Sequence, residues 1–419
     1  MRIAFLSTRI SGLDGVTLEI HKWATILSEL GHTIFYCAGE LEELPNQMLI
    51  PEMHFKHPAM AAINDKIFTQ QECSADLSRQ IDIYVEIIQE QLEGFIRRDE
   101  IDLIIAENIL TIPLNIPLGI ALTRLIKKNA LPTIAHHHDF YWERERFLTN
   151  GVPEILEEYF PPHDVHIVHV VINSLAQQNL LARTGLRAEV IPNIFDFGND
   201  VSASAQTGMQ VKEALHISPL EIMVLQPTRI IPRKGIELAI DLLAELRKPA
   251  LLEKLSARKA KLVLSHPSGD EGDAYLAMLV EKAAALNVPL IQAQALFSGD
   301  TSPFGLWDAY QAADLVTYPS YIEGFGNALL EAIFFHKLIV INRYPVYEKD
   351  IRPLGFDLIE MDGQVTCAVV DRVATMLKDK AHVVDMTAHN FALGRQYFSY
   401  EAIKPKLDKI IGILQQQNE

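Results

Sequence analysis

A glycine-rich turn between two glutamates marks the second half of this sequence: Tyr318-Pro319-Ser320-Tyr321-Ile322-Glu323-Gly324-Phe325-Gly326-Asn327-Ala328-Leu329-Leu330-Glu331. An apolar strand is predicted to end at its start, and a helix to begin within it whose first-turn amides point back toward a ligand. Such amides suit a diphosphate. Gly324 and Gly326 let the backbone come close to phosphate or sugar oxygens, Glu323 can accept hydrogen bonds from sugar hydroxyls, and Glu331, about one helical turn further in, lies on a face a ribose could reach. The plainer alternative is a helix that follows a loop and carries one Glu for solubility. Upstream, Pro227-Thr228-Arg229-Ile230-Ile231-Pro232-Arg233-Lys234-Gly235 offers cations beside a second predicted helix start. Breaking a glycosidic bond to a diphosphate adds charge to the leaving group, which Arg and Lys can neutralise; either cation alone would read as a surface charge at a turn.

The first half holds weaker signals. Gly12-Leu13-Asp14-Gly15 is a tight turn, followed after the second strand by Glu40, yet it lacks the G-x-G-x-x-G of a dinucleotide site. His136-His137-His138-Asp139-Phe140 follows a short strand. Neighbours on an extended segment point to opposite sides, so at most His136 and His138 share a face and a three-histidine metal site fails. Buried packing histidines are the structural alternative. Glu107-Asn108, at another strand end, serves either acceptor hydroxyls or a turn or helix cap. The run Trp142-Glu143-Arg144-Glu145-Arg146-Phe147 is either an acceptor rim or a solvated helix.

The elements that must position these residues are α/β throughout. Apolar runs at Ile3–Leu6, Thr33–Cys37, Ile101–Ala106, Thr133–Ala135 and His166–Ile172 are separated by stretches long enough for crossover helices, with a first helix closed by Gly31. After the Ser/Ala/Thr/Gly-rich stretch Ser202–Gly208, read as a linker, the pattern starts over. Its strands are Ile222–Leu225, Lys261–Leu264, Val288–Ile291, Leu315–Thr317 and Leu338–Ile341, and its helices include Gly235–Leu246 and Asn327–Phe335. We expect an N-terminal domain over 1–197, a second over 198–385, and helices over 386–419 that pack back toward the first. In doubly wound sheets the ligand sits outside the carboxyl ends of the strands. With Lys plus Arg at 37 against Asp plus Glu at 54, the net charge of −17 argues against nucleic acid. The basic pairs Arg97-Arg98 and Lys127-Lys128 leave at most peripheral membrane contact. Cys37, Cys73 and Cys367 show no metal or disulfide spacing and are expected as buried apolar side chains; with no apolar run long enough to span a membrane, we expect a cytoplasmic protein.

Taken in order, these motifs resemble the retaining GT-B glycosyltransferases of family 4, the glycosyl transferases group 1. The string from Glu323 to Glu331 matches the family's Glu-x7-Glu element, and Arg229 with Lys234-Gly235 its Arg-x4-Lys-Gly element. The resemblance implies two Rossmann-like domains facing each other across a cleft. It also implies that Gly15, Arg229, Lys234, Glu323, Gly324, Phe325, Gly326, Asn327 and Glu331 hold a nucleotide-sugar donor. His138, Arg229, Lys234 and Glu323 become the catalytic set, and Glu107 and Asp139 acceptor contacts, Asp139 alternatively orienting His138. No metal or other cofactor is expected. UDP-glucose is the expected donor, with GDP-mannose next, and a saccharide, a lipid-linked saccharide or a small polar molecule the acceptor. Attack from the front face, with the departing phosphate taking the proton, is the expected route. Ser265-His266-Pro267 stands where a glycine-rich segment is usual, a departure at the nucleotide-base side. A nonhydrolysing sugar-nucleotide epimerase and an inactive scaffold share the pattern; a nicotinamide dehydrogenase lacks its glycine fingerprint.

Overall fold

The computed structural model describes residues 1–416 apart from Leu13, Cys73 and the segments 200–204, 256–258, 269–271 and 298–301. The chain divides into two compact units. One is Met1–Ile194 together with Tyr400–Glu419; the other is Phe195–Ser399.

In the first unit seven described strands form one parallel sheet: β1 (Arg2–Ser7), β2 (Thr33–Ala38), β3 (Gln47–Leu49), β4 (Leu103–Glu107), β5 (Thr133–His137), β6 (Ile167–Val171) and β7 (Ala188–Val190). Their order is β3-β2-β1-β4-β5-β6-β7. The order reverses beside β1, which in a doubly wound sheet is where a crevice opens. The central strands are continuous apolar runs because helices cover both faces. One face packs under the helices Ala75–Arg98 and Ile116–Asn129. The other packs under helix Gly15–Glu29, through Ile20, Trp23 and Leu27, and under helix Tyr400–Gln416, through Ile403, Leu407, Ile410, Ile411 and Leu414.

The second unit repeats the pattern with β8 (Ile222–Gln226), β9 (Ala260–Leu264), β10 (Leu290–Gln292), β11 (Leu315–Tyr318), β12 (Ile339–Asn342) and β13 (Ile359–Met361), in the order β10-β9-β8-β11-β12-β13. Helices Ile236–Leu246 and Cys367–Met376 contribute to the core on one face of this sheet. Helix Lys380–Phe398 belongs to this unit, its Phe391 packed on Phe197 and Phe334. Of the stretch 386–419, expected to pack back toward the first unit as a whole, the residues up to Ser399 belong to the second unit and those from Tyr400 to the first.

Two smaller expectations change. The linker reading of Ser202–Gly208 fails from Ala205 onward, where helix Ala205–Ala214 begins, and its first residues lie outside the described set. Cys37 is buried, but Cys367 is exposed at the first turn of its helix, and Cys73 is not among the described residues. Of the basic pairs, Arg97 and Lys128 both reach Glu93, and Arg98 pairs with Asp99. No helix among the described residues is long and apolar enough to cross a membrane.

Candidate active site

In the second unit the cationic and the acidic motifs form one construction. β8 and β11 are parallel neighbours, so the loops that follow them leave the same sheet edge. Gly235 locks these loops together: its φ is +59°, and a Cβ there would stand 2.4 Å from the Pro319 carbonyl oxygen. Tyr321 N donates to the Arg233 carbonyl at 2.9 Å, and Arg233 Nη1 donates to the Ile322 carbonyl at 3.0 Å. Gly326, at φ +138°, leaves room for the Tyr344 hydroxyl, which donates to the Phe325 carbonyl at 2.6 Å.

Glu323 lies at the centre of this construction, 8% exposed. Lys234 Nζ donates to its Oε1, and Arg233 Nη1 lies 3.3 Å from its Oε2. Burial alone would raise this carboxyl; the charges of Lys234 and Arg233 outweigh it and lower the pKa. Burial lowers the Lys234 ammonium, against the pull of Glu323. Arg233, which the motif spacing passes over, is thus a direct partner of the central carboxylate; its only signal in the sequence is its place beside Lys234. Arg229 is exposed and makes no ion pair among the described residues. Beside it the departing turn is tied in by Ile230 N, which donates to the Pro267 carbonyl at 3.0 Å. Burial, then the charges of Lys234 and Arg229, hold His266 down at about 4. Helix Asn327–Phe334 starts with no side-chain cap and no acid in its first turn. Glu331, half-buried, accepts from the Tyr310 hydroxyl at 2.7 Å. Gly324, Phe325, Gly326 and Asn327 form the turn between the two glutamates.

The first unit builds a second cluster where β4 and β5 end side by side, Glu107 opposite His136. His136 and His138 share a face, as alternation requires, and His137 points to the other, where its Nε2 lies 2.9 Å from His169 Nδ1. Glu107, expected either at acceptor hydroxyls or in a turn or cap, is buried at 1% exposure, with Oε1 3.1 Å from His136 Nδ1 and Oε2 3.1 Å from His138 Nε2. Burial would raise Glu107, but the charges and hydrogen bonds of His136 and His138 hold it at about 2. Burial would lower His138, but its hydrogen bond to Glu107, then the charges of Glu107, Glu19 and Asp139, raise it. The His136 ring stacks on Trp23 with centroids 4.2 Å apart. Glu107, not Asp139, therefore sets the orientation of His138. The ligand atoms of Glu107, His136 and His138 lie within 4.8 Å of one another, a set able to hold a divalent metal. The third ligand that histidine spacing alone could not supply comes from the neighbouring strand. In the structure these atoms are paired with one another.

Asp139 accepts from Asn108 Nδ2 at 3.1 Å and from Arg144 Nε at 2.7 Å, while Asn108 Oδ1 accepts from His138 N at 3.1 Å. Gly15 opens helix Gly15–Glu29 and is exposed. The Asp14 carboxylate caps that helix, accepting from Val16 N at 3.0 Å and Thr17 N at 3.2 Å, and pairs with Arg9 at 2.9 Å. The helix start beside Gly15 is thus capped by a carboxylate of the chain. Within Trp142–Phe147 the aromatic residues pack against the protein: Trp142 stacks on Phe140 at 4.6 Å and Phe147 is buried.

Two doubly wound sheets with a cation-and-carboxylate cluster at the strand ends of the second define a class, and comparison with known proteins names it. Residues 211–389 match the family described as Glycosyl transferases group 1. Solved structures with the same fold include a glycosyltransferase from Rickettsia africae (TM-score 0.69, 13% identity, 99% of this chain and 98% of that one). Another is HepE from Anabaena in complex with UDP-glucose (TM-score 0.65, 15% identity, 98% and 99%). Among curated relatives, the mannosylglucosylglycerate synthase of Thermotoga maritima is 33% identical over 98% of this chain and 99% of its own length. The enzyme of that name from Petrotoga mobilis is 36% identical over 87% of each. The chain belongs to the glycosyl transferases group 1 and is a glycosyltransferase of the GT-B type.

Proposed function

We propose that this enzyme transfers a mannosyl group from a nucleoside-diphosphate mannose, GDP-mannose in the first instance, to a hydroxyl of glucosylglycerate. The donor reading moves from UDP-glucose to the mannosyl donor because both near-full-length relatives carry names that state a mannosylated product. The observation that carries the chemistry is the Glu323 carboxylate, its pKa lowered between Lys234 and Arg233, with the exposed Arg229, which makes no ion pair among the described residues, close enough to act on Lys234.

In this reading Glu323 accepts from donor-sugar hydroxyls, Glu331 from the ribose, and the turn Gly324–Asn327 with the uncapped helix start receives the diphosphate. Gly15 is the first unit's contribution to the donor. Arg229 and Lys234 neutralise the charge that grows on the departing phosphate oxygen. The acceptor hydroxyl attacks the anomeric carbon on the face the phosphate leaves, the carbon–phosphate oxygen bond breaks, and the hydroxyl proton passes to that oxygen; the configuration of the donor is retained, as in family 4. His138, held by Glu107, binds the donor sugar. No metal enters the reaction.

The test is a product assay with GDP-mannose, UDP-glucose and other donors against glucosylglycerate, with and without EDTA, the new linkage read by NMR. Transfer from GDP-mannose with retained anomeric configuration, unaffected by EDTA, is the expected result. Transfer from UDP-glucose alone overturns the donor reading, inversion overturns the front-face route, and loss with EDTA overturns the metal-free mechanism and points to Glu107, His136 and His138.

A further inference from the structure

Glucosylglycerate differs from an ordinary sugar acceptor in carrying a carboxylate. A surface with 54 acidic against 37 basic residues repels such a ligand unless local cations receive it. Resting on the acceptor reading above, we propose that Arg144 and Arg146 form the subsite for the acceptor carboxylate and thereby set the enzyme's preference for anionic acceptors.

The guanidinium of Arg144 is held in place before any ligand arrives. Asp139 Oδ2 accepts from both Nε and Nη2, which occupies one edge of the planar fork and fixes its plane. The Nη1 edge remains, and that edge has the geometry for a second, bidentate carboxylate. Asp139 is itself held by Asn108, whose other side-chain atom binds the backbone N of His138. One short polar chain therefore ties Arg144 to His138. Arg146 makes no ion pair among the described residues, and its guanidinium carbon lies 4.5 Å from the centroid of the Phe147 ring. Partial burial, then the charge of Arg144, disfavours its cationic form, against the pull of Asp139. Arg144 keeps one edge of its guanidinium for an incoming carboxylate, and Arg146, two residues on and without an ion pair among the described residues, offers a second cation on the same segment. The segment Tyr141–Leu148 keeps this pair at the surface by turning Trp142 and Phe147 inward. Asp139 then acts as a positioning residue for Arg144, not as an acceptor ligand.

The experiment compares kcat/KM of the full chain for glucosylglycerate and for glucosylglycerol, which keeps the glucosyl hydroxyls and lacks the carboxylate. The wild type is expected to favour glucosylglycerate. Arg146→Gln and Arg144→Gln should each raise its KM by roughly tenfold or more and pull the two acceptors together, as loss of a charge-assisted hydrogen bond predicts. Arg146→Lys should restore part of the preference. Because Arg146 is exposed, its variants keep the fold, which an unchanged Tm verifies. An unchanged acceptor ratio in both Gln variants, with transfer intact, overturns the subsite. Failure of the wild type to use glucosylglycerate at all overturns the acceptor reading instead, a distinct outcome.

Discussion

Removing the carboxylate of Glu107 leaves two imidazoles facing each other beneath the surface with no counter-charge. Breaking a buried pair from one side costs about 3–5 kcal/mol. Glu107→Ala should lower unfolding free energy by that amount, measured by urea denaturation, and a loss below about 1 kcal/mol would contradict the pairing. In the second unit, Lys234→Ala should lower kcat by roughly 10²–10³-fold, the scale of losing one preorganised donor to developing charge. Arg229→Ala, which breaks no ion pair among the described residues, should act on kcat without touching Tm. Glu323, Lys234 and Arg229 could be singled out in the sequence because their spacing sits within two short strings, and the structure brings Glu323 and Lys234 together. The inward turn of Glu107 was not legible, because its partners His136 and His138 stand at the end of another strand and nothing local reveals that a strand-end glutamate turns inward. Arg233 was passed over for the opposite reason: it stands next to a residue already assigned.

Gly235 belongs to the scale of elements, since it sets the distance between two loops. At φ +59°, with Pro319 O 2.4 Å from where a Cβ would lie, Gly235→Ala combines a left-handed backbone with a clash. A loss of about 1–3 kcal/mol is expected, with activity falling further as Lys234 moves off Glu323; unaltered stability would show the loops to be independently held. Between β5 and β6, His137 and His169 face each other. Burial, with the charge of His169 added, lowers His137 well below its ordinary value, and burial holds His169 at about 4. Both are bases favoured neutral in the folded chain, so their contribution is complete above pH 6.5 and is lost as pH falls from there toward 4. Each can account for up to about 1.4 kcal/mol per pH unit. Stability should therefore drop between pH 7 and 5, and less steeply in His169→Asn; equal slopes would exclude the pair as the cause. The central strands were readable as apolar runs. β3, β7 and β13 were not, because each has three residues and lies at a sheet edge, where one flank of the backbone goes unpaired and short, mixed sequence suffices. β5 was cut short at Ala135 because histidines do not look like strand interior.

At the scale of the molecule, the chain leaves the first unit after Ile194 and returns at Tyr400. Phe195 and Ser399 lie side by side, bridged in parallel, with Phe195 N donating to the Phe398 carbonyl at 2.9 Å. Helix Tyr400–Gln416 then buries Ile403, Leu407, Ile410, Ile411 and Leu414 in the first unit's core. At about 1.5–3 kcal/mol for each such side chain, the helix contributes on the order of ten kcal/mol, as much as a whole domain's net stability. Truncation before Tyr400 should therefore unfold the first unit, while Ile194 joined to Tyr400 by a short linker should fold alone, as far-UV circular dichroism and cooperative melting would report. The doubling of the α/β pattern was legible from the strand runs, and a return to the first unit was expected over 386–419; its starting point at Tyr400 was not legible, because an amphipathic helix does not say which core it covers. The ribosome adds a consequence of its own. The second unit is one uninterrupted stretch and can fold as it emerges, whereas the first is begun earliest and closed latest. Until the residues after Ser399 are synthesised, the apolar face that Ile403, Leu407 and Ile410 cover stays open, which lengthens the interval in which the nascent chain is exposed to aggregation.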